Sequence, residues 1–479
     1  MKNINYIVIG VLLLIGWSCT KDFENINSNP NAPIEVQPAF LFRQVIYDYG
    51  EQMSYEGFVA GNLLGQYFTA VDFNLFDRHS LSEPQFGGNP WPILYQNLRD
   101  NEIILKRAQE GSISGVYEGP ALIMKAYLTA ALTDIFGDVP YSEALNGKDG
   151  IITPKYDEQE MIYTGANGIL DNLRTGIQKI QTFDGLTKLD GDVLFEGDLE
   201  RWVKFANSLL IKNLVRISAK AEVATELTAI YESGNYIQSA EDDAAFDFSN
   251  SPPNNFRLST ARIGDFNIYV MSETIDEILE NYNDPRAAVF FRPAGNNGEF
   301  EGLLNGPDAS QTSISVADFS LSGEIFREST GDLDANFLTS WEIKFLLAEA
   351  ALKNYINADP QALYEQGVTE AFTYWQTELP DNYLTSGATA YGNNGADPLA
   401  QIITQKWLAN IVNGFEGWIE YRRTGFPEFK TIAASLNNDL IPERMPYPID
   451  EEALNGENFQ RAAAATDGNS INAKVWWNR

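Results

Sequence analysis

The chain has one cysteine and one histidine in 479 residues, and half as many basic residues as acidic ones. Each shortage excludes a class of chemistry. A lone cysteine, Cys19, allows no intrachain disulfide and no CxxC redox or zinc motif, so stability must come from the core. A lone histidine, His79, would have to serve any Ser-His-Asp triad, and no GxSxG string stands ahead of a helix. HExxH and P-loop strings are missing too, which removes support for metalloprotease and nucleotide chemistry. With 33 basic against 66 acidic residues the formal net charge is −33, which excludes most nucleic-acid partners and disfavours polyanionic ligands. Carboxylates are so abundant that pairs are inevitable, so their presence says nothing for glycoside hydrolysis. Asp190, Asp192, Glu196 and Asp198 read as a solvated acidic loop rather than a calcium site. We expect no catalytic residues, no cofactor and no bound metal.

Long apolar runs are also scarce. The one run, residues 7–17, follows Lys2 and ends just before Cys19; at eleven residues it is too short to span a bilayer, which takes about 20. Small Gly16 and Ser18 sit where a signal peptidase needs small side chains. This predicts a lipoprotein leader over 1–18, with cleavage freeing Cys19 for acylation, although Trp17 departs from the commoner lipobox. Several acyl chains anchor a soluble domain stably. Loss of Lys2 with the leader takes the net charge from −33 to −34. Residues 19–37, rich in Asn and Pro, read as anchor and tether, and 38–479 as one large globular domain with 44% hydrophobic residues to build a core.

What is abundant is helical periodicity. Residues 121–136, 202–217, 338–352, 360–375 and 399–412 carry apolar residues at three- and four-residue spacing, while alternating strand-like runs are few. Alanines such as Ala126, Ala130 and Ala131, or Ala348, Ala350 and Ala351, let antiparallel helix pairs approach closely. Periodicity alone therefore predicts a mostly α-helical domain. Between the helices lie long segments rich in Gly, Asn, Ser and Pro, at 66–90, 249–268, 291–337 and 380–398, of the kind that carries function on a rigid scaffold.

A series of strings goes beyond generic patterning: TDIFGDVPYSEAL at 133–145, PKYDEQEMIY at 154–163, NDPR at 283–286, FLLAEAAL at 345–352, QKW at 405–407, GFEGWIEYRRTGFP at 414–427, IPERMPYP at 441–448 and VWWNR at 475–479. With KDFENINSNPNAP at 21–33, and in this order, they resemble the SusD/RagB family of starch-utilisation-type lipoproteins, in its SusD-like lipoprotein branch. The resemblance implies an all-α fold of tetratricopeptide-type helix pairs with a long-loop ligand-binding remainder. It implies a non-enzymatic lipoprotein on the outer face of the outer membrane. Its partner would be a SusC-type TonB-dependent transporter, and its ligand an oligosaccharide or, alternatively, a peptide.

Most of these strings have structural readings. In GDVPY, Gly137 ends a helix, Asp138 caps backbone amides and Pro140 blocks continuation. NDPR predicts a turn tied by Arg286, and Glu416, Glu420, Arg422 and Arg423 predict a buried ion network on one helix face. Glycan capture needs exposed aromatics, for the C–H face of a sugar, beside amides and guanidiniums for its hydroxyls. The segment 66–90 suits this best, so Phe73, Phe76, Arg78 and His79 are the first candidates, followed by Phe256, Arg257 and Phe300. Trp341 joins them because it alone among the tryptophans beyond the leader stands outside the family-like framework strings and helices. The competing reading for each Phe is a side chain tucking its own loop onto the domain. With few scattered arginines in these loops, the expected ligand is a neutral glycan.

Overall fold

The computed structural model describes residues 36–82, 87–262, 266–308, 310 and 313–479; the leader, Cys19 and the tether as far as residue 35 lie outside the described residues. Helix α1, Pro38–Glu56, starts on a proline, whose missing N–H is harmless in a first turn. It then widens into a π-type turn, Gly57–Gly61. Glycines at 57 and 61 let this turn lie against the 412–415 backbone: a Cβ on Gly61 would stand 2.3 Å from the Phe415 nitrogen.

The helices α2 (Pro90–Gln109), α3 (Glu118–Phe136), α4 (Ile169–Gln181) and α5 (Leu199–Arg216) pack each on the next, with α1 against α2. Close approach of α3 and α4 depends on a glycine pair, since a Cβ on Gly119 would meet the Gly176 carbonyl at 2.9 Å. After α6 (Ala224–Ser233) and α7 (Glu273–Tyr282) comes a second group: α8 (Ser340–Leu352), α9 (Pro360–Tyr374), α10 (Pro398–Ala409) and α11 (Gly414–Thr424). Helix α8 touches α5, α9 and α10 and is buried almost all round; its buried charges are paired, Glu342 with Lys212 at 2.8 Å and Glu349 with Arg423 at 2.5 Å. Asp198, Asp359 and Asp397 cap α5, α9 and α10 by accepting from first-turn amides. The last helix of a full turn or more, α12, is Gly456–Ala465.

The described strands form three short antiparallel ribbons. β1 (Phe68–Ala70) pairs with β5 (Tyr269–Met271), β2 (Val139–Pro140) with β3 (Tyr156–Asp157), and β4 (Ala244–Asp247) with β6 (Asp334–Leu338). In register, Phe68 faces Met271, Val139 faces Asp157, and Asp247 faces Asp334. The fold is the mostly helical, paired-helix architecture that the sequence predicts.

The framework strings do structural work. Gly137 has φ +83°, and Asp138 accepts from the Gln159 amide at 2.8 Å, closing the turn after α3. Arg286 and Asp284 are fully buried and joined by bonds of 3.0 and 2.6 Å, with the Tyr383 hydroxyl donating to Asp284. On α11, Glu416 meets Arg216 at 2.7 Å and Lys406 at 3.1 Å, and Glu420 meets Arg423 at 2.7 Å. Burial favours the neutral acid at Glu416, but Arg216, Lys212 and Lys406 outweigh it and hold the group well below the usual carboxylate range. Arg422 departs from the expected ion network. Its guanidinium lies 3.7 Å over Trp418 and donates to the carbonyls of Glu443 and Asp134.

In the acidic loop Asp190, Glu196 and Asp198 are exposed, as expected of a solvated loop, and one carboxylate is drawn inward. Asp192 is buried and accepts from the amides of Leu194, Phe195 and Gly197 and from the Trp202 indole, while Asp198 caps α5. Among the described residues, no three or more His, Cys, Asp or Glu side chains gather to hold a metal ion.

Candidate functional site: a loop face stitched by Asp77

Three loops meet beside the β1–β5 ribbon, and one buried carboxylate joins two of them to it. Asp77 Oδ2 accepts from Thr69 Oγ1 at 2.7 Å, the Ala70 amide at 3.1 Å and the Gly306 amide at 2.7 Å; its Oδ1 accepts from Asn305 Nδ2 at 2.8 Å. Burial pushes its pKa up and these bonds work against the rise. Asn74 Nδ2 extends the stitching by donating to the carbonyls of Ala70 and Pro307. Arg78 adds the third loop, since its Nε donates to the Ala434 carbonyl at 2.7 Å and its carbonyl accepts from the Leu436 amide. Loop segments 71–82, 303–308 and 432–440 thus form one preorganised platform.

At the rim stands Phe73, with 60% of its surface exposed. Its φ of +47° is unusual for a residue with a Cβ, and its amide donates to Asp72 Oδ1 at 2.8 Å. Next to the platform is a second cluster. The Arg257 guanidinium lies 4.4 Å over the ring of Tyr55, a half-buried residue of α1. Glu56 accepts from the Gly88 amide at 2.6 Å, which ties the end of the 66–90 segment to α1. Tyr269 on β5 connects the two clusters: burial, then Tyr55 and Asp77, raise its hydroxyl pKa, so both groups lie within electrostatic reach of it. Between them the two clusters offer the exposed ring of Phe73, the half-buried ring of Tyr55, the Arg257 guanidinium and the exposed Asp72 carboxylate, the set that ring stacking and hydroxyl recognition require.

Only part of the expected residue set lies here on the surface. Phe73 and Arg257 are exposed, and Arg78 is half-buried. Phe76 is 4% exposed and His79 3%, because the loop that turns Phe73 outward folds both inward. The His79 ring is within 3.2 Å of the Leu440 carbonyl, and burial lowers its pKa to about 4. Phe256 is fully buried in ring contact with Phe58 and Phe248, so it cannot offer a face to a ligand. Phe300 is half-buried against the core. Trp341 is buried on α8 beside Tyr374 and lines a cavity of about 90 Å³ with Tyr49, Lys212 and Glu342. It is a core residue here. Phe86 in the same loop lies outside the described residues. Sequence reasoning missed Tyr55, Asp77 and Asn305, none of which carries a distinguishing local pattern.

Residues 30–448 match the SusD-like family model described as starch-binding, associating with outer membrane. The chain belongs to the SusD-like family. Solved structures agree in fold. A SusD homologue from Bacteroides fragilis NCTC 9343 is 23% identical, with 93% of this chain and 100% of that chain covered and a TM-score of 0.79. A chitin-binding SusD homologue from Flavobacterium johnsoniae is 22% identical, with 92% and 97% covered and a TM-score of 0.75. A SusD homologue from Bacteroides vulgatus ATCC 8482 is 23% identical, with 92% and 97% covered and a TM-score of 0.77. Comparison with curated proteins gave no match. Proteins of the SusD-like family are binding proteins rather than enzymes.

Proposed function

We propose that this SusD-like protein is a cell-surface lipoprotein, anchored through acylated Cys19 in the outer membrane, that captures neutral oligosaccharides for import by a SusC-type TonB-dependent transporter. Family membership supports a nutrient-binding role at the outer membrane. Similarity in fold to chitin-binding SusD homologues supports a glycan as ligand.

The observation that carries the site assignment is the exposed ring of Phe73 on a platform immobilised through Asp77, with Tyr55 and Arg257 alongside. A sugar ring stacks on Phe73, and its hydroxyls meet exposed polar groups such as Asp72 and Arg257. The test is calorimetry of Phe73→Ala against oligosaccharides that the wild type binds. Loss of an exposed aromatic plane is expected to cost about 1–2 kcal/mol of binding with an unchanged melting temperature. Unchanged affinity in that variant would remove the loop face as the ligand site.

A further inference from the structure

Away from the loop face, α2, α3 and the β2–β3 ribbon enclose a cavity of about 390 Å³, which none of Phe73, Tyr55 or Arg257 lines. Its volume falls in the lower part of the range for small-molecule sites, suited to one or two sugar rings. The lining carries two ion pairs. Lys125 Nζ lies 3.0 Å from Glu102 Oε2, and Lys155 Nζ lies 3.5 Å from Asp157 Oδ1. The four charges cancel locally, in a chain whose net charge is −33.

That cancellation selects the ligand. An ammonium has three donors and a carboxylate about four acceptor sites, so Glu102 and Lys125 keep hydrogen-bonding capacity after pairing and Lys155 keeps donors, whereas Asp157 is already taken up by the Tyr141 and Ser142 amides and the Ser142 hydroxyl. A hydroxyl uses both halves of the Glu102–Lys125 pair at once, donating to the carboxylate and accepting from the ammonium. A charged ligand must instead compete with one member of a formed pair. Tyr141 supplies the ring. Its hydroxyl donates to the Asn167 carbonyl and accepts from Asn172 Nδ2 at 2.9 Å, which fixes the aromatic plane in the cavity wall. Leu145, held at φ +63°, and Met161 are exposed apolar residues on the same lining.

We propose that this cavity is a second glycan pocket, taking a neutral, hydroxyl-rich mono- or disaccharide unit at a site separate from the loop face. The ligand class rests on the neutral-sugar reading above; the location does not. The experiment uses the purified protein and calorimetry with glucose-, mannose- and N-acetylglucosamine-based mono- to tetrasaccharides. Ala166 is exposed on the cavity lining, so Ala166→Trp plugs the pocket without disturbing the core.

The expected result is two sites per chain in the wild type. Phe73→Ala should keep the disaccharide site, and Ala166→Trp should lose that site by tenfold or more in affinity. Glu102→Gln with Lys125→Met, which removes one pair without stranding a charge, should weaken the same site at least fivefold. If Ala166→Trp and the double variant both bind with wild-type stoichiometry and affinity while Phe73→Ala loses all binding, the pocket is overturned and the loop face stands. If Ala166→Trp loses all binding and Phe73→Ala none, the pocket stands and the loop face falls. Failure of every neutral sugar to bind overturns both.

Discussion

At the scale of single residues, Phe73 and Phe76 show how a loop assigns opposite fates to like side chains three positions apart. Asp77 is drawn inward by four hydrogen bonds, which brings Phe76 and His79 into the core, whereas positive φ at Phe73 turns that ring to solvent. Phe76→Ala is accordingly expected to behave as a core truncation, costing roughly 3–5 kcal/mol of stability and lowering the denaturant midpoint. Phe73→Ala should leave that midpoint alone, and a matching loss in both would mean that neither ring faces ligand. The sequence made the loop legible as a ligand candidate but not the direction of its side chains. Aromatic composition is the same whether a ring is buried beneath its loop or exposed on it. The turn is set by Asn305 and Gly306, more than 200 positions away, and no local pattern announces them.

At the scale of elements, legibility followed the chemistry of the inner faces. Helices at 118–136, 340–352 and 360–374 were readable because apolar residues dominate their buried faces, even though Asp134, Glu342, Lys344 and Glu349 are buried among them. Helix α2 was harder to read as a whole, because Asn97 and Asn101 lie on its buried side and Asn101 donates to the Ala121 carbonyl at 2.8 Å. A buried amide with a partner looks polar in sequence and thus breaks the periodicity. Of the ribbons, β4–β6 carries a pH-sensitive pair, since Asp247 and Asp334 face each other across the ladder. Burial first, and then the neighbouring Asp247, raise the Asp334 pKa to about 7. The folded state therefore holds a proton that the unfolded state, with its carboxylate near 3.8, has already lost; stability declines as pH rises from about 4 through 7. Asp334→Asn stays neutral and should melt higher than wild type at pH 8, with the gain vanishing near pH 4. Scanning calorimetry across that range checks it, and a gain independent of pH would assign the effect to something other than this pair.

At the scale of the whole molecule, the charge of −33 excludes most nucleic-acid partners and the ordered strings carry the resemblance to the SusD/RagB family, and neither depends on loop geometry. The anchor is tested on cells. Cys19→Ala should move the protein from protease-accessible surface to the medium, and unchanged surface retention would contradict acylation at that residue. The ligand is tested by one titration. Stacking and neutral hydrogen bonds respond little to ionic strength, whereas a polyanion held against this net charge would be strongly salt-dependent. Calorimetry of the purified protein against a panel of neutral and acidic oligosaccharides, at low and at high salt, is therefore the most direct measurement. The account predicts saturable binding to a neutral oligosaccharide with nearly the same affinity at both salt concentrations; binding confined to polyanions, or to peptides in a parallel titration, would contradict it.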